Sequence, residues 1–136
     1  MEDVFVASLM SAPVHSVRGD ASLQEAGQTL IDHDVGSVVV VEDEDRLVGI
    51  LTATDFVRVV ADGEGWGPAT AVSAVMSRDV ITTTGNEPIA AAADLMVESG
   101  HYHVPVVDDE TVIGVIAAAD LTAYLSTVQP PNPPWR

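Results

Sequence analysis

Three things are missing from this chain of 136 residues, and each removes a class of explanation. There is no cysteine, so disulfides and thiolate chemistry are excluded. Lysine is absent as well: the basic side chains are Arg18, Arg46, Arg58, Arg78 and Arg136, set against 21 carboxylates. Phosphates and anionic lipids are met by basic groups, so a formal charge of -16 argues against both nucleic-acid and membrane partners. The third absence is a long apolar run. Val38 to Val41 is the longest run of Val, Leu or Ile, far below the roughly 18 apolar residues of a spanning helix. Met1-Glu2-Asp3-Val4 carries acid where a secretory signal carries Lys or Arg, which sets the expectation of a cytoplasmic protein.

What is there is 47% hydrophobic, enough for one ordinary domain or for two half-size units that share a core. Surplus carboxylates repel one another in dilute buffer and are screened in strong salt, so a halophilic source is expected.

The strongest pattern is an internal repeat. Leu9-Met10-Ser11 recurs as Val75-Met76-Ser77, and in the same register Val14 meets Val80, Gly19 meets Gly85, and Leu30 meets Met96. Val38-Val39-Val40-Val41 falls on Val104-Pro105-Val106-Val107. After one deletion Leu47-Val48-Gly49-Ile50-Leu51 falls on Val112-Ile113-Gly114-Val115-Ile116, and Asp55 on Asp120.

Within each copy the spacing predicts the same elements. Leu23, Ala26, Leu30 and Ile31 recur at helical spacing behind Ser22, with Glu25 placed for a capping box, so a helix is predicted over 22–33. Its counterpart over 88–99 has Pro88 at the start and Gly100 at the stop. β-Branched runs over 37–41 and 47–52 flank the acidic turn 42–45, and a second helix is predicted over 54–61. The unit is β-α-β-β-α. At about 55 residues it is marginal alone, and packing two copies sheet against sheet would complete a core. Residues 62–68 read as a linker, and the Pro-rich end 129–136 as an extended tail.

Residue type alone gives modest roles to the polar groups. Thr52 and Thr54 serve as caps of the second helix and Asp55 as a first-turn acid on its dipole, a reading that extends to Asp120. His101 and His103 share a period-two face but lack a third metal ligand. The turn 42–45 lacks the Gly and spaced ligands of a calcium loop. No nucleophile motif surrounds any Ser or His, so the chain is not expected to be an enzyme.

The duplicated order of these motifs resembles a tandem pair of CBS domains, the Bateman module. It is carried by Met-x-x-x-Val at each start, Val104 to Asp108, and the close from Gly49 to Asp55, and it spans about residues 8–126. The resemblance implies an α/β fold of two pseudo-symmetric β-α-β-β-α units packed through their sheets. Its boundaries here would be an N-terminal segment 1–7, a first domain 8–62, a linker 63–72, a second domain 73–126 and a tail 127–136. It also implies a regulatory module that binds an adenosine-containing ligand, either AMP, ADP, ATP or S-adenosylmethionine, and signals to a separate effector protein. A homodimer is implied as well. The alternative is a structural dimerisation module with vestigial pockets.

Carried over residue by residue, the family pattern gives Asp55 and Asp120 to the ribose hydroxyls, and Thr52 with Thr54 to the phosphate at the helix start. Ala117 and Ala119 depart from that pattern in the second copy. The main cleft would comprise Ile50, Thr52, Thr54 and Asp55, completed by Val80, Ile81, His101, Tyr102, His103 and Pro105. The weaker cleft would comprise Val14, His15, Val35, Gly36, Ser37, Val115 and Asp120. Family members carry basic residues near Tyr102 and His103 to meet phosphate, and His15 is the one basic candidate in the weaker cleft.

Overall fold

In the computed structural model, which describes residues 4–63 and 65–128, Ser22 opens the first long helix by accepting a hydrogen bond at Oγ from Glu25 N at 3.1 Å. That helix, α2 (Leu23–His33), follows a short turn α1 (Val6–Leu9) and a strand β1 (Ser16–Arg18), and it buries Leu23, Ala26 and Leu30. β2 (Ser37–Glu42) and β3 (Arg46–Thr52) then form an antiparallel hairpin around a 3₁₀ turn, and α3 (Ala53–Asp62) closes the first unit. The second unit repeats this with α4 (Ile89–Ser99), β4 (His103–Asp108), β5 (Thr111–Ala117) and α5 (Ala118–Thr127). Gly100 ends α4 at φ 72°, a left-handed position that glycine takes without Cβ strain. The Pro-rich tail from 129 onward lies outside the described residues.

One expected element is reduced. The first strand of the second unit is a single parallel bridge, Thr83 to Val106, because the chain turns away directly after it, with Glu87 N donating to Thr84 O at 3.3 Å. The two sheets join edge to edge at Arg46 and Thr111 into one five-stranded order, β1-β2-β3-β5-β4.

Period two in β2 explains how both of its faces are buried. Val38 and Val40 face the first unit's helices with Leu23, Ala26, Leu30 and Leu51. Val39 and Val41 face the other way and form a core with Val112, against which Val14, Leu47, Val107 and Val115 pack. This third core holds the two units together through their sheets.

The segments ahead of each unit are exchanged. Val6 is fully buried in the second unit's core with Ala92, Met96, Val104, Val106 and Ile116, whereas Val72 and Met76 belong to the first unit's core. Ser11 pairs with Val115 (N to O, 2.8 Å) and Ser77 with Ile50 (N to O, 2.9 Å). The repeated Met-Ser and Gly motifs therefore meet across the exchange. A methyl on Gly114 would lie 2.7 Å from Met10 Sδ, and one on Gly49 would lie 2.6 Å from Met76 Sδ. Each glycine leaves the space its methionine occupies.

Candidate functional site

Two cavities flank the seam between the units. The first, of about 290 Å³, opens where β3 runs into α3. From the first copy it draws Ile50, Thr52, Thr54 and Asp55, and across from them stand Val80 and Ile81 with His101, Tyr102 and His103. Pro105 does not line it; that residue is fully buried within β4. His101 lies in the loop ahead of β4 rather than on a strand.

Asp55 is buried, and the start of α3 explains how its charge is tolerated. Thr52 N donates to Asp55 Oδ2 at 2.8 Å, Thr52 Oγ1 donates to the same oxygen at 3.2 Å, and Arg58 Nη1 donates to Oδ1 at 3.2 Å. The carboxylate thus caps the helix from its third position, a role that residue type assigns to Thr52 and Thr54, and it is also the first-turn acid expected on the dipole. It retains limited accepting capacity, since an ionised carboxyl offers about four lone-pair sites.

Sequence reasoning missed Arg58, Ser77 and Asp79 in this cavity. Arg58 was legible: it stands three positions after Asp55, hence on the same helical face. It supplies the one arginine lining either cavity.

The second cavity, of about 190 Å³, brings together Val14, His15, Val35, Gly36, Ser37, Val115 and Asp120. Asp120 accepts from Ala117 N at 2.8 Å, the counterpart of the Thr52 bond, but Ala117 has no hydroxyl to add. Asp34 lies at the rim, and His15 stacks on His33 with ring centroids 3.9 Å apart. The lining includes two carboxylates and no arginine.

His103 borders both cavities. Burial lowers its pKa below the ordinary imidazole value of 6.5, and the nearby Asp120 charge opposes that shift in part. Among the described residues no cluster of three or more His, Asp or Glu is arranged to hold a metal, and no helix is long and apolar enough to cross a membrane.

Comparison with known proteins agrees with this architecture. The CBS domain family matches residues 6–62 and again 72–127. The solved CBS domain pair of the protein MJ0100, in complex with 5'-methylthioadenosine and S-adenosyl-L-methionine, superposes with a TM-score of 0.85 at 28% identity, covering 92% of this chain and 98% of that one. Hypoxic response protein 1 of Mycobacterium tuberculosis is 31% identical over 86% of this chain and 82% of its own length. The L-aspartate semialdehyde sulfurtransferase of Methanocaldococcus jannaschii is 30% identical over 86% of this chain, which spans only 22% of that longer protein. The chain belongs to the CBS domain family, with two copies in tandem that form one pair.

Proposed function

We propose that this pair is a regulatory module whose clefts bind adenosine-containing ligands and report their occupancy to an effector protein. The observation that carries the reading is the first cleft, where Thr52, Asp55 and Arg58 stand on one wall opposite Val80 and Ile81. In this reading Asp55 accepts from the ribose hydroxyls, and the backbone at Val80 and Ile81 reads the adenine edge. Arg58 and the amides at the start of α3 face a phosphate. One arginine among carboxylates matches a monophosphate better than a bare triphosphate, which makes AMP the preferred nucleotide over ADP and ATP. The second cleft, with Asp34 and Asp120 and no arginine, suits an adenosyl group without phosphate. 5'-Methylthioadenosine and S-adenosylmethionine, bound by the MJ0100 pair, are ligands of that kind.

Signalling requires that the ligand favour one arrangement of the two units, or of a homodimer, over another. Of the apolar residues Phe56, Val57, Val59 and Val60 of α3 and Ala90 to Ala93 of α4, Ala92 is buried, Phe56 and Val59 pack on the first core, and Val57, Val60 and Ala90 are exposed. Those valines, with the capping bonds of Asp55 and Asp120, also favour the competing reading of a dimerisation module with vestigial pockets. Calorimetry separates the two. AMP is expected to fill one strong site per chain, and Arg58→Ala should weaken AMP about tenfold while leaving 5'-methylthioadenosine unchanged, the effect of one charge-assisted bond. Ala117→Thr should strengthen AMP at the second site. Absence of binding by both compounds would leave the dimerisation module as the answer.

A further inference from the structure

Gly36 and His103 are the two residues that line both cavities. They touch: a methyl built on Gly36 would lie 2.8 Å from His103 Cε1 and 3.2 Å from Nε2. Gly36 has no left-handed φ, so what glycine supplies here is room for the ring and not backbone freedom. The backbones on either side are fixed. Gly36 O accepts from Ala53 N at 3.0 Å, and His103 begins β4 in register with Ala117 of β5. The imidazole is the part of this wall whose placement is set by side-chain torsions and not by those backbone bonds.

The repeat shows that the wall is one-sided. Gly36 and Ser37 of the first copy correspond to Tyr102 and His103 of the second. Tyr102 is 54% exposed and lines the first cavity alone, while Ser37 is buried and lines the second alone. A small residue facing a ring therefore occurs once, and the partition between the clefts is a single imidazole resting on a Cα.

We propose that His103 is a movable wall shared by the two clefts, so that filling one cleft lowers the affinity of the other. This rests on the ligand binding proposed above. Space gained by a ligand on one side of the ring is taken from the other, because the ring lines both cavities. With cavities of about 290 and 190 Å³, the second has less to give. Conformational couplings of this type commonly amount to about 5- to 150-fold in affinity.

The test uses AMP as probe. Calorimetry of Asp120→Ala and of Asp55→Ala gives the affinity of each cleft alone, and wild type gives both together. The second binding event in wild type is expected to be at least about fivefold weaker than the same cleft acting alone. In His103→Ala the two values should agree within about twofold. Gly36→Ala, whose methyl pins the ring to one side, should remove the coupling too. A merely structural role is excluded by NMR: the His103 Cε1–H signal, identified with His103→Asn, should shift when either cleft alone is filled. Independent sites in wild type, the same coupling in both His103→Ala and Gly36→Ala, or a His103 signal that answers to one cleft only would overturn the coupling. Failure of AMP and 5'-methylthioadenosine alike to bind would overturn the function proposed above and the coupling with it.

Discussion

Replacing Asp55 by alanine separates a helix cap from a ligand-binding carboxylate, because the structure gives each role its own magnitude. The cap is the bond from Thr52 N at 2.8 Å, joined by the Thr52 hydroxyl at 3.2 Å. Losing such a cap costs about 0.5 to 2 kcal/mol of stability. The Arg58 ion pair adds little, since the arginine side chain is 73% exposed and screened by solvent. Loss of a charged acceptor for ribose hydroxyls costs about 1.5 to 3 kcal/mol of binding, or about 10- to 150-fold in Kd. Asp55→Asn keeps an oxygen for Thr52 N but not the charge, so it should recover most of the stability and little of the affinity. Urea melts and AMP calorimetry on the same preparations read the two effects side by side. A folded Asp55→Ala protein that is less stable yet binds AMP with wild-type affinity would refute the ligand role and leave the cap.

Four further outcomes are expected. With a formal charge of -16, thermal melts should rise in Tm from low to molar KCl, as the screening length falls from about 10 Å at 0.1 M to about 3 Å at 1 M; a flat or falling Tm would defeat the halophilic reading. Gly49→Ala and Gly114→Ala should each cost about 1 to 3 kcal/mol in urea unfolding, because the new methyl meets a methionine sulfur and a backbone oxygen of the exchanged segment; a neutral pair would show those segments yield freely. Burial lowers the folded-state pKa of His103, so its stabilising contribution is complete above pH 6.5 and lost as pH falls from there through the lower folded value. Wild type should therefore lose more stability between pH 7.5 and 5.5 than His103→Gln, and equal losses would contradict the assignment. Val57 and Val60, 66% and 81% exposed, should be covered in a homodimer that Val60→Glu splits; a mass near 14.2 kDa for wild type in light scattering at high salt would reject it.

Much of this fold was legible because the repeat doubles each local signal. The helices behind Ser22 and Pro88 and the hairpin of β2 and β3 lie within a residue or two of the spacing-based prediction. The exchange of Val6 and Met76 between units was not legible, since periodicity describes one segment's own face and is silent on which neighbour covers it. The shortened strand at Thr83 escaped for the opposite reason: the repeat implied a copy of β1, and the turn ending at Glu87 removed it. In the clefts, motif positions led to Thr52, Asp55, Val80 and Asp120, all of which line the cavities. Arg58 was passed over because it lies outside those motifs, and Pro105 was included because it lies within one. The double contact of His103 depends on how the two units meet, which no single copy records.

Ligand binding is tested most directly by equilibrating the protein with a mixture of AMP, ADP, ATP, S-adenosylmethionine, 5'-methylthioadenosine and the guanosine nucleotides. The protein is then separated and denatured, and the released molecules are identified by mass spectrometry. Selective retention of adenosine compounds, with less AMP retained by Asp55→Ala than by wild type, is the predicted result. Retention of none, or of guanosine and adenosine nucleotides alike, would contradict it.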